Sequence, residues 1–310
     1  MDVASKISEF PDRLSPVLVR DLRQGLKASY FVWVFIIVQS LALLAVLGEW
    51  AVFQILGELG NLPVFSGGFI ALLGIVFVLI LPLSLFGSLQ SELGVGRNID
   101  LLLTTRLSRW QIVRSKLAVA TSLSALILIS ILPYQLIRYF MGTVEPVQTF
   151  LAMGWLLLTN AAMNAIVIGA SGFSNYVGRA AVILFLGIQL MITTSVGLAA
   201  MSMRASLGGS SSMPILSLAA SILATLLYAT LGLQLGRSRI KPYELFFEAP
   251  ATVLVLAFSF CVPIVSGFAS ALGGFIGSVA ALSVLLVLAL LIDRTPKRKK
   301  LLIGAPAQSQ

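Results

Sequence analysis

Long uncharged apolar runs alternate with short polar segments along the whole chain. A helix needs about 20 apolar residues to cross the hydrocarbon core of a bilayer, and the runs have about that length. They are continuously apolar rather than alternating, so they predict membrane-spanning helices and not the strands of a barrel. We count eight, with approximate bounds Tyr30–Gly48, Ser66–Ser88, Leu117–Ile137, Phe150–Gly169, Ala180–Met201, Ile215–Leu235, Ala251–Phe268 and Ala271–Ile292.

The polar segment before the first run has a helical pattern of its own. Ser15 and Pro16 are a typical helix cap and first-turn proline. One apolar stripe is formed by Leu18, Leu22 and Leu26, and the other faces carry Arg20 and Arg23. This pattern predicts an amphipathic helix that lies in the membrane–water interface before the chain enters the first span. A polar leader with helical propensity is the alternative.

A second polar segment, residues 91–116, separates the second and third runs. Asn98 can cap a short helix with Asp100 in its first turn and the apolar triplet Leu101–Leu103 in its body. Ser108 then begins a capping-box pattern, which predicts a second helix that starts near Arg109 and continues into the third run. We therefore expect a structured loop that docks a soluble partner.

Composition supports a polytopic membrane protein without a soluble domain. Of the 310 residues 58% are hydrophobic and only 11% are charged, whereas about a quarter of a typical soluble domain is charged. No stretch outside the runs is long enough to bury a core. The expected fold class is an all-α polytopic membrane protein with about eight transmembrane helices, an interfacial helix and a helical cytosolic loop.

The basic residues predict the orientation of the spans. With eight spans, 19 of the 21 lysines and arginines fall on one side of the membrane. Only Arg138 and Arg204 fall in loops on the other side, which also hold Glu49, Glu58 and Glu145. Basic residues collect on the cytoplasmic side, so we expect a multi-pass protein of the plasma (inner) membrane with both termini in the cytoplasm.

Several classes of chemistry are disfavoured by what the runs lack. The chain has no histidine, and the predicted spans hold no charged residue away from their ends. Proton-coupled transport is therefore disfavoured, although a sodium site of carbonyls and hydroxyls stays open. We find no acid–base pair, metal cluster, nucleophile elbow or phosphate loop, and so expect no catalytic residue, metal or cofactor. We interpret the net charge of +9 as a consequence of the membrane topology and not as a sign of nucleic-acid binding.

A few uncharged polar and small residues inside the runs predict helix packing. The polar side chains are Gln39 on the first span, Asn160 and Asn164 on the fourth, and Gln189 on the fifth. Hydrogen bonds between helices are one role for them, and contact with a transported molecule is the other. Pro82 and Pro263 predict kinks, since each removes a backbone donor in its span. Ala269, Gly273, Gly277 and Ala281 recur every four residues and predict close packing around the last span.

The runs SPVLVRDLRQGLKASYF, residues 15–31, and DLLLTTRLSRWQIVRSKLA, residues 100–118, together resemble the permease subunits of type-2 ATP-binding-cassette (ABC) exporters. The resemblance covers residues 15–120 by motif and the rest by hydropathy. It implies that the interfacial helix is an elbow helix and that the 91–116 loop forms a coupling helix seated on a separate ATPase subunit. The coupling-helix residues would be Glu92, Asp100, Leu101, Leu102, Leu103, Thr105, Arg106, Ser108 and Arg109.

The same resemblance implies how the chain is divided and what it does. It suggests a cytosolic arm and elbow at 1–29, a six-span core at 30–235, a cytosolic loop at 236–250, an added hairpin at 251–292 and a basic tail at 293–310. The permease would pair with itself or a sister permease and export a hydrophobic or amphipathic molecule, with ATP hydrolysed on the partner subunit. The alternatives are a non-transporting structural or assembly protein of the membrane, or a membrane enzyme with an unrecognised site.

Overall fold

The computed structural model describes residues 16–56, 63–90, 109–141, 146–207, 213–240 and 252–292. All regular structure in these ranges is helical. The helices are α1 (Pro16–Lys27), α2 (Ser29–Leu56), α3 (Pro63–Ile75), a π-helix (Val76–Ile80), α4 (Leu81–Leu83), α5 (Arg109–Ser130), α6 (Leu132–Phe140), α7 (Pro146–Ala170), α8 (Tyr176–Leu207), α9 (Met213–Arg239) and α10 (Thr252–Ile292).

Six stretches within the described helices are long and apolar enough to cross a membrane. They are Ser29–Ala51, Trp110–Phe140, Thr149–Ala170, Tyr176–Thr193, Leu216–Arg239 and Thr252–Leu291. Large apolar side chains cover their outer surface, for example Leu44 at 63%, Ile129 at 64% and Leu184 at 62% exposure. So extensive an apolar surface is typical of a protein that faces lipid. An all-helical multi-pass membrane protein, the coarse expectation from the sequence, is what the structure has.

The second predicted span is not one regular helix. Its apolar helical part, Phe69–Leu83, is shorter than the six stretches above, and its backbone changes from α to π at Val76 before Pro82. Turns follow from Ser84 to Leu89. Regular α-helical geometry is therefore interrupted on both sides of Pro82, where the sequence predicts a kink.

The long helix α10 contains a reversal. Gly274 has φ 60° and ψ −147°, values outside the helical region, so the segment is two helices joined at this glycine. The sequence placed the division at residues 269–270, a few residues too early. A Cβ on Gly277 would collide with the Ala269 carbonyl, so these two small residues pack across the reversal. Gly273 has no described atom near such a Cβ, so a packing role for Gly273 stays a prediction.

The apolar core is organised around α7. One cluster joins α7 to α8, α9 and α10 through residues such as Ile166, Leu186 and Leu231. A second joins α7 to α2, the π-helix and α5 through Leu156, Val38 and Phe77. Because α7 belongs to both clusters, it is the central helix of the described bundle.

The closest helix contact lies between α7 and α9. A Cβ on Gly232 would be 2.6 Å from the Ala165 carbonyl carbon, and one on Gly236 would be 3.4 Å from the Gly169 Cα. Two small residues spaced four apart on each helix therefore let the two backbones touch. The small residues that we predicted to pack closely lie on the last span, and this contact between α7 and α9 was not among them.

Helix α1 begins at Pro16, as its cap pattern predicts, and packs along α5. A Cβ on Gly25 would be 2.9 Å from a methyl carbon of Leu123, so only glycine allows α1 this close approach without a shift of the leucine. Helix α5 begins at Arg109 and continues to Ser130, which confirms the predicted second helix of the 91–116 segment.

Candidate functional site

Arginine side chains stack on aromatic rings at one end of the bundle, where α5 begins and α9 ends. The Trp110 ring lies between two guanidinium groups, 4.6 Å from that of Arg114 and 5.6 Å from that of Arg237. Such stacking holds the guanidinium groups in place. This end of the described bundle is therefore rich in basic side chains.

The same end includes the turn between α7 and α8. Arg239 lies 3.8 Å over the Phe173 ring. Arg179 is buried, donates from Nε to the Phe173 carbonyl at 2.6 Å, and lies 5.6 Å over the Phe86 ring. We call Arg114, Lys116, Arg179, Arg237 and Arg239 the basic end. They come from three separate polar segments that the sequence assigns to one side, and the structure brings them together.

Hydrogen bonds at the basic end satisfy the backbone where the second span unwinds. The Leu89 N–H donates to the Ser171 hydroxyl at 3.1 Å, and that hydroxyl donates to the Ile168 carbonyl at 2.7 Å. Lys116 Nζ donates to the Ser88 carbonyl at 3.1 Å. The chain is thus anchored to α5 and α7 just before residue 91, and it re-enters the described structure at Arg109, where α5 begins.

The opposite end of the bundle holds a buried ion pair. Arg138 on α6 is fully buried and donates to both carboxylate oxygens of Glu49 on α2, at 2.6 and 2.8 Å. Its third nitrogen donates to Gln135 at 3.0 Å, and its guanidinium lies 4.4 Å over the Phe69 ring. Loss of one partner from a buried pair costs about 3–5 kcal/mol, so this cluster fixes α2, α3 and α6 together.

This pair corrects the sequence analysis, which placed Arg138 in a loop. The helical turns of α6 continue to Phe140, and the arginine points into protein because Glu49 offers a bidentate partner there. The two residues are 89 positions apart, so no local pattern could have indicated their contact.

A cleft of about 540 Å³ lies beside α1, between the start of α2, the unwound end of the second span, and α5. Its polar lining includes Arg20, Asp21, Gln24, Lys116 and Asn164 of α7, and the rest of its lining is mostly apolar. A shallower depression next to it is lined by Val19, Arg20, Arg23, Gln24 and Lys27.

The predicted coupling-helix residues fall almost entirely outside the described residues. These are Glu92, Asp100, Leu101, Leu102, Leu103, Thr105, Arg106 and Ser108. Arg109 is the first residue of α5. The predicted elbow residues Leu18, Arg20, Leu22, Arg23 and Leu26 are all on α1. Leu26 is exposed and Leu22 half-buried, and their position relative to a membrane stays a prediction.

The predicted polar residues of the spans are placed among helices. Gln39 on α2 donates to the Ser130 hydroxyl on α5. Asn160 donates to the Phe77 carbonyl of the π-helix, and Asn164 donates to Asn160 Oδ1 at 2.9 Å. The Gln189 Oε1 atom is buried and has no hydrogen-bond partner among the described residues. Contact of any of them with a transported molecule stays a prediction.

The described part of the chain contains no cluster of three or more His, Cys, Asp or Glu side chains able to hold a metal ion. Neither a family model, nor a curated protein, nor a solved structure matches the chain. The basic end and the cleft are therefore the features from which its function is inferred.

Proposed function

We propose that this chain is the permease subunit of an ABC exporter, driven by ATP hydrolysis on a separate subunit. The observation that carries the proposal is the basic end, where five cations surround the points at which segment 91–108 leaves and rejoins the bundle. A partner with an acidic rim would be attracted to this face and held in register on it. The motif of residues 100–118 adds the family resemblance.

The attachment of segment 91–108 supports a mechanical role. On one side Leu89 is bonded to Ser171, and on the other side Arg109 begins a helix that continues unbroken to Ser130. Displacement of the segment by a partner would therefore be transmitted directly to α5 and to the second span. In this proposal Leu101–Leu103 insert into an apolar groove of the ATPase, and Arg114 is among the cations that pair with its acidic rim.

We further propose that the chain crosses the membrane eight times. Each half of α10, at about 1.5 Å per residue, has roughly the length of a bilayer core. Its two ends lie near the same end of α9, since Ser238 is 3.2 Å from Thr252 and Gln234 donates to the Ala289 carbonyl at 2.6 Å. A complete hairpin of two crossings fits these contacts, with α3, the π-helix and α4 forming the remaining short crossing.

In the same proposal the protein resides in the plasma membrane with its basic end in the cytoplasm, since positive charge is retained on that side. It works as a dimer with itself or with a sister permease. The described buried polar groups are uncharged apart from the Arg138–Glu49 pair at the far end and Arg179 at the basic end. A pathway between such helices suits a hydrophobic or amphipathic cargo better than an ion.

The test is purification of the chain with a co-expressed ABC ATPase, followed by measurement of ATP turnover with and without the permease. We expect a complex whose turnover depends on the permease. Leu102→Asp should abolish this dependence and the co-purification, because a carboxylate would be buried in the groove of the ATPase. Leu102→Met retains an apolar side chain and is the matched control. A normally inserted Leu102→Asp chain that still couples would contradict the proposal.

A further inference from the structure

Helix α6 is attached to the bundle mainly through polar side chains. Its buried residues are Gln135 and Arg138. Exposed apolar and aromatic side chains cover its other faces, namely Leu136, Ile137, Tyr139 and Phe140. A helix buried through an amide and a guanidinium gains little from the hydrophobic effect, and burial of those groups is favourable only while they are paired. The position of α6 therefore depends on the interactions of these two side chains.

The backbone between α5 and α6 is interrupted at Ile131. The Ile131 N–H donates to the Leu128 carbonyl, three residues back, at 3.1 Å. Pro133 has no N–H, so it cannot donate to the Ile129 carbonyl as another residue of a continuous helix would. Interruptions of this kind bend helices and let the two parts move relative to each other. We call residues 131–133 the hinge.

Polar contacts join this chain segment to α2 on both sides of the hinge. Before the hinge, Gln39 of α2 donates to the Ser130 hydroxyl, and that hydroxyl donates to the Ile127 carbonyl at 2.6 Å. Beyond the hinge, Arg138 donates to both carboxylate oxygens of Glu49 at 2.6 and 2.8 Å. The first contact fixes α5, and the ion pair is the contact that fixes α6.

The buried position of α6 leaves one donor unused. Gln135 Oε1 accepts from Arg138 at 3.0 Å, but Gln135 Nε2 is buried and has no hydrogen-bond partner among the described residues. A buried donor without an acceptor disfavours the arrangement that buries it. Outward movement of α6 would give this amide access to water. The Glu49–Arg138 pair therefore opposes such a movement, and the unused donor favours it.

We propose that α6 is a hinged segment that opens the far end of the bundle, turning about residues 131–133 and held closed by the Glu49–Arg138 pair. The part of α5 before the hinge stays in place, because its contact with α2 does not involve α6. Opening separates α6 from α2 at the end where an exported molecule would leave. That use of the movement rests on the proposed function, whereas the hinge and the ion pair are measured on the chain alone.

The experiment measures the movement of α6 without an ATPase. Spin labels are attached in a Cys261→Ser background at Phe140→Cys, beyond the hinge, and at Leu184→Cys on α8, both of which are exposed positions. A second pair combines Leu184→Cys with Ile129→Cys, which is exposed and precedes the hinge. Distances are measured by double electron–electron resonance in bilayer discs, and we expect the parent to give one distance for each pair.

Loss of the ion pair should move only the label beyond the hinge. Glu49→Gln removes the negative charge and leaves one acceptor oxygen where two accept from Arg138. It should add a second distance to the Phe140 pair in at least about a tenth of the molecules, and the Ile129 pair should stay unchanged. Asp21→Asn removes a carboxylate from an exposed ion pair on α1. It is the matched control and should change neither distance.

A further substitution tests the hinge itself. Pro133→Ala supplies an N–H for the Ile129 carbonyl and should reduce the second population of Glu49→Gln at least about fivefold. A monodisperse Glu49→Gln chain that keeps the parental distance for the Phe140 pair would overturn the proposal. So would a shift of both pairs, which indicates loosening of the whole bundle, or a second population that Pro133→Ala leaves unchanged. If Glu49→Gln is not monodisperse, Glu49→Asp, whose carboxylate is one methylene shorter, is measured by the same criteria.

Discussion

At the scale of single residues, the contact between Asn160 and the Phe77 carbonyl follows from a missing donor. In a π-helix each N–H bonds the carbonyl five residues earlier, and the Leu81 N–H bonds the Val76 carbonyl in this way. The Phe77 carbonyl would next accept from residue 82, which is a proline without an N–H. Asn160 supplies the donor instead. An amide inside an apolar span is thereby explained by a proline on another helix.

We therefore predict an energetic coupling between Asn160 and Pro82. Asn160→Leu should reduce the free energy of unfolding by about 1–3 kcal/mol, because it leaves the buried Phe77 carbonyl without a donor. In a Pro82→Ala background the same substitution should cost about 1 kcal/mol less, since the introduced alanine offers its own N–H to that carbonyl. The measurement is a double-mutant cycle of unfolding by sodium dodecyl sulfate in mixed micelles.

Pro82→Ala should restore only part of the stability that Asn160→Leu removes. Asn160 also accepts from Asn164 Nδ2 at 2.9 Å, and an alanine in place of Pro82 cannot replace that acceptor. Asn164→Ala, made alone and with Pro82→Ala, is the matched control and should show costs that simply add. If the costs of Asn160→Leu and Pro82→Ala also add to within about 0.5 kcal/mol, the proposed link between proline and amide is refuted.

At the scale of helices, glycine spacing determines which pair packs most closely. Helices α7 and α9 meet through Ala165, Gly169, Gly232 and Gly236, and their backbones touch without intervening side chains. Close approach of backbones is how membrane helices gain dispersion energy when lipid is as apolar as the protein. The central position of α7 therefore depends on these small residues as well as on its apolar face.

A methyl group at this contact should be destabilising. A Cβ on Gly232 would lie 2.6 Å from the Ala165 carbonyl carbon, and backbone atoms cannot rotate away as a side chain can. We expect Gly232→Ala to cost about 1–3 kcal/mol through overpacking, against a gain in helix propensity of up to about 1 kcal/mol. Gly154→Ala on α7 meets open space and is the control that should be neutral or stabilising. Equal thermal stability of the two variants would contradict this packing.

The helices themselves were largely predictable from the sequence, and their irregularities were predictable only in part. Long apolar runs specify helices because a chain in lipid must satisfy its backbone internally, and α1 and α5 begin where the sequence patterns predict. The sequence divides the last run near Gly274 and indicates a kink at Pro82, but it gives neither the backbone angles of Gly274 nor the π-helix at Val76. Both lie inside apolar stretches, where hydropathy does not distinguish one helical geometry from another.

At the scale of the whole molecule, charge distinguishes the two ends of the bundle. Cations at the basic end are stacked on rings, with Arg114 and Arg237 on Trp110 and Arg239 on Phe173. At the far end the charge of Arg138 is paired with Glu49. One of the two basic residues that the sequence assigns to the far side therefore has a structural role in the bundle.

The candidate site could be predicted only in part. The sequence indicates that basic residues of several polar segments share one side, because apolar runs of known length fix the sides. It does not indicate which rings they stack on or that Lys116 and Arg20 line one cleft. The ring contacts join residues that are far apart in the sequence, and the cleft depends on the packing of α1 against α5, which Gly25 allows to be close.

The proposed orientation can be tested by labelling cysteines from outside the cell. The single cysteine, Cys261, is first replaced by serine, and Thr105→Cys or Ser210→Cys is introduced into this background. With the proposed eight spans, 19 of the 21 basic residues would lie on the side of residue 105, so a membrane-impermeant maleimide should react with the cysteine at 210 in intact cells. The cysteine at 105 should react only after permeabilisation, because its segment joins the basic end at Arg109. Labelling of position 105 in intact cells would place the basic end outside the cytoplasm, where no ATP-driven partner could reach it, and would remove the basis for the transport proposal.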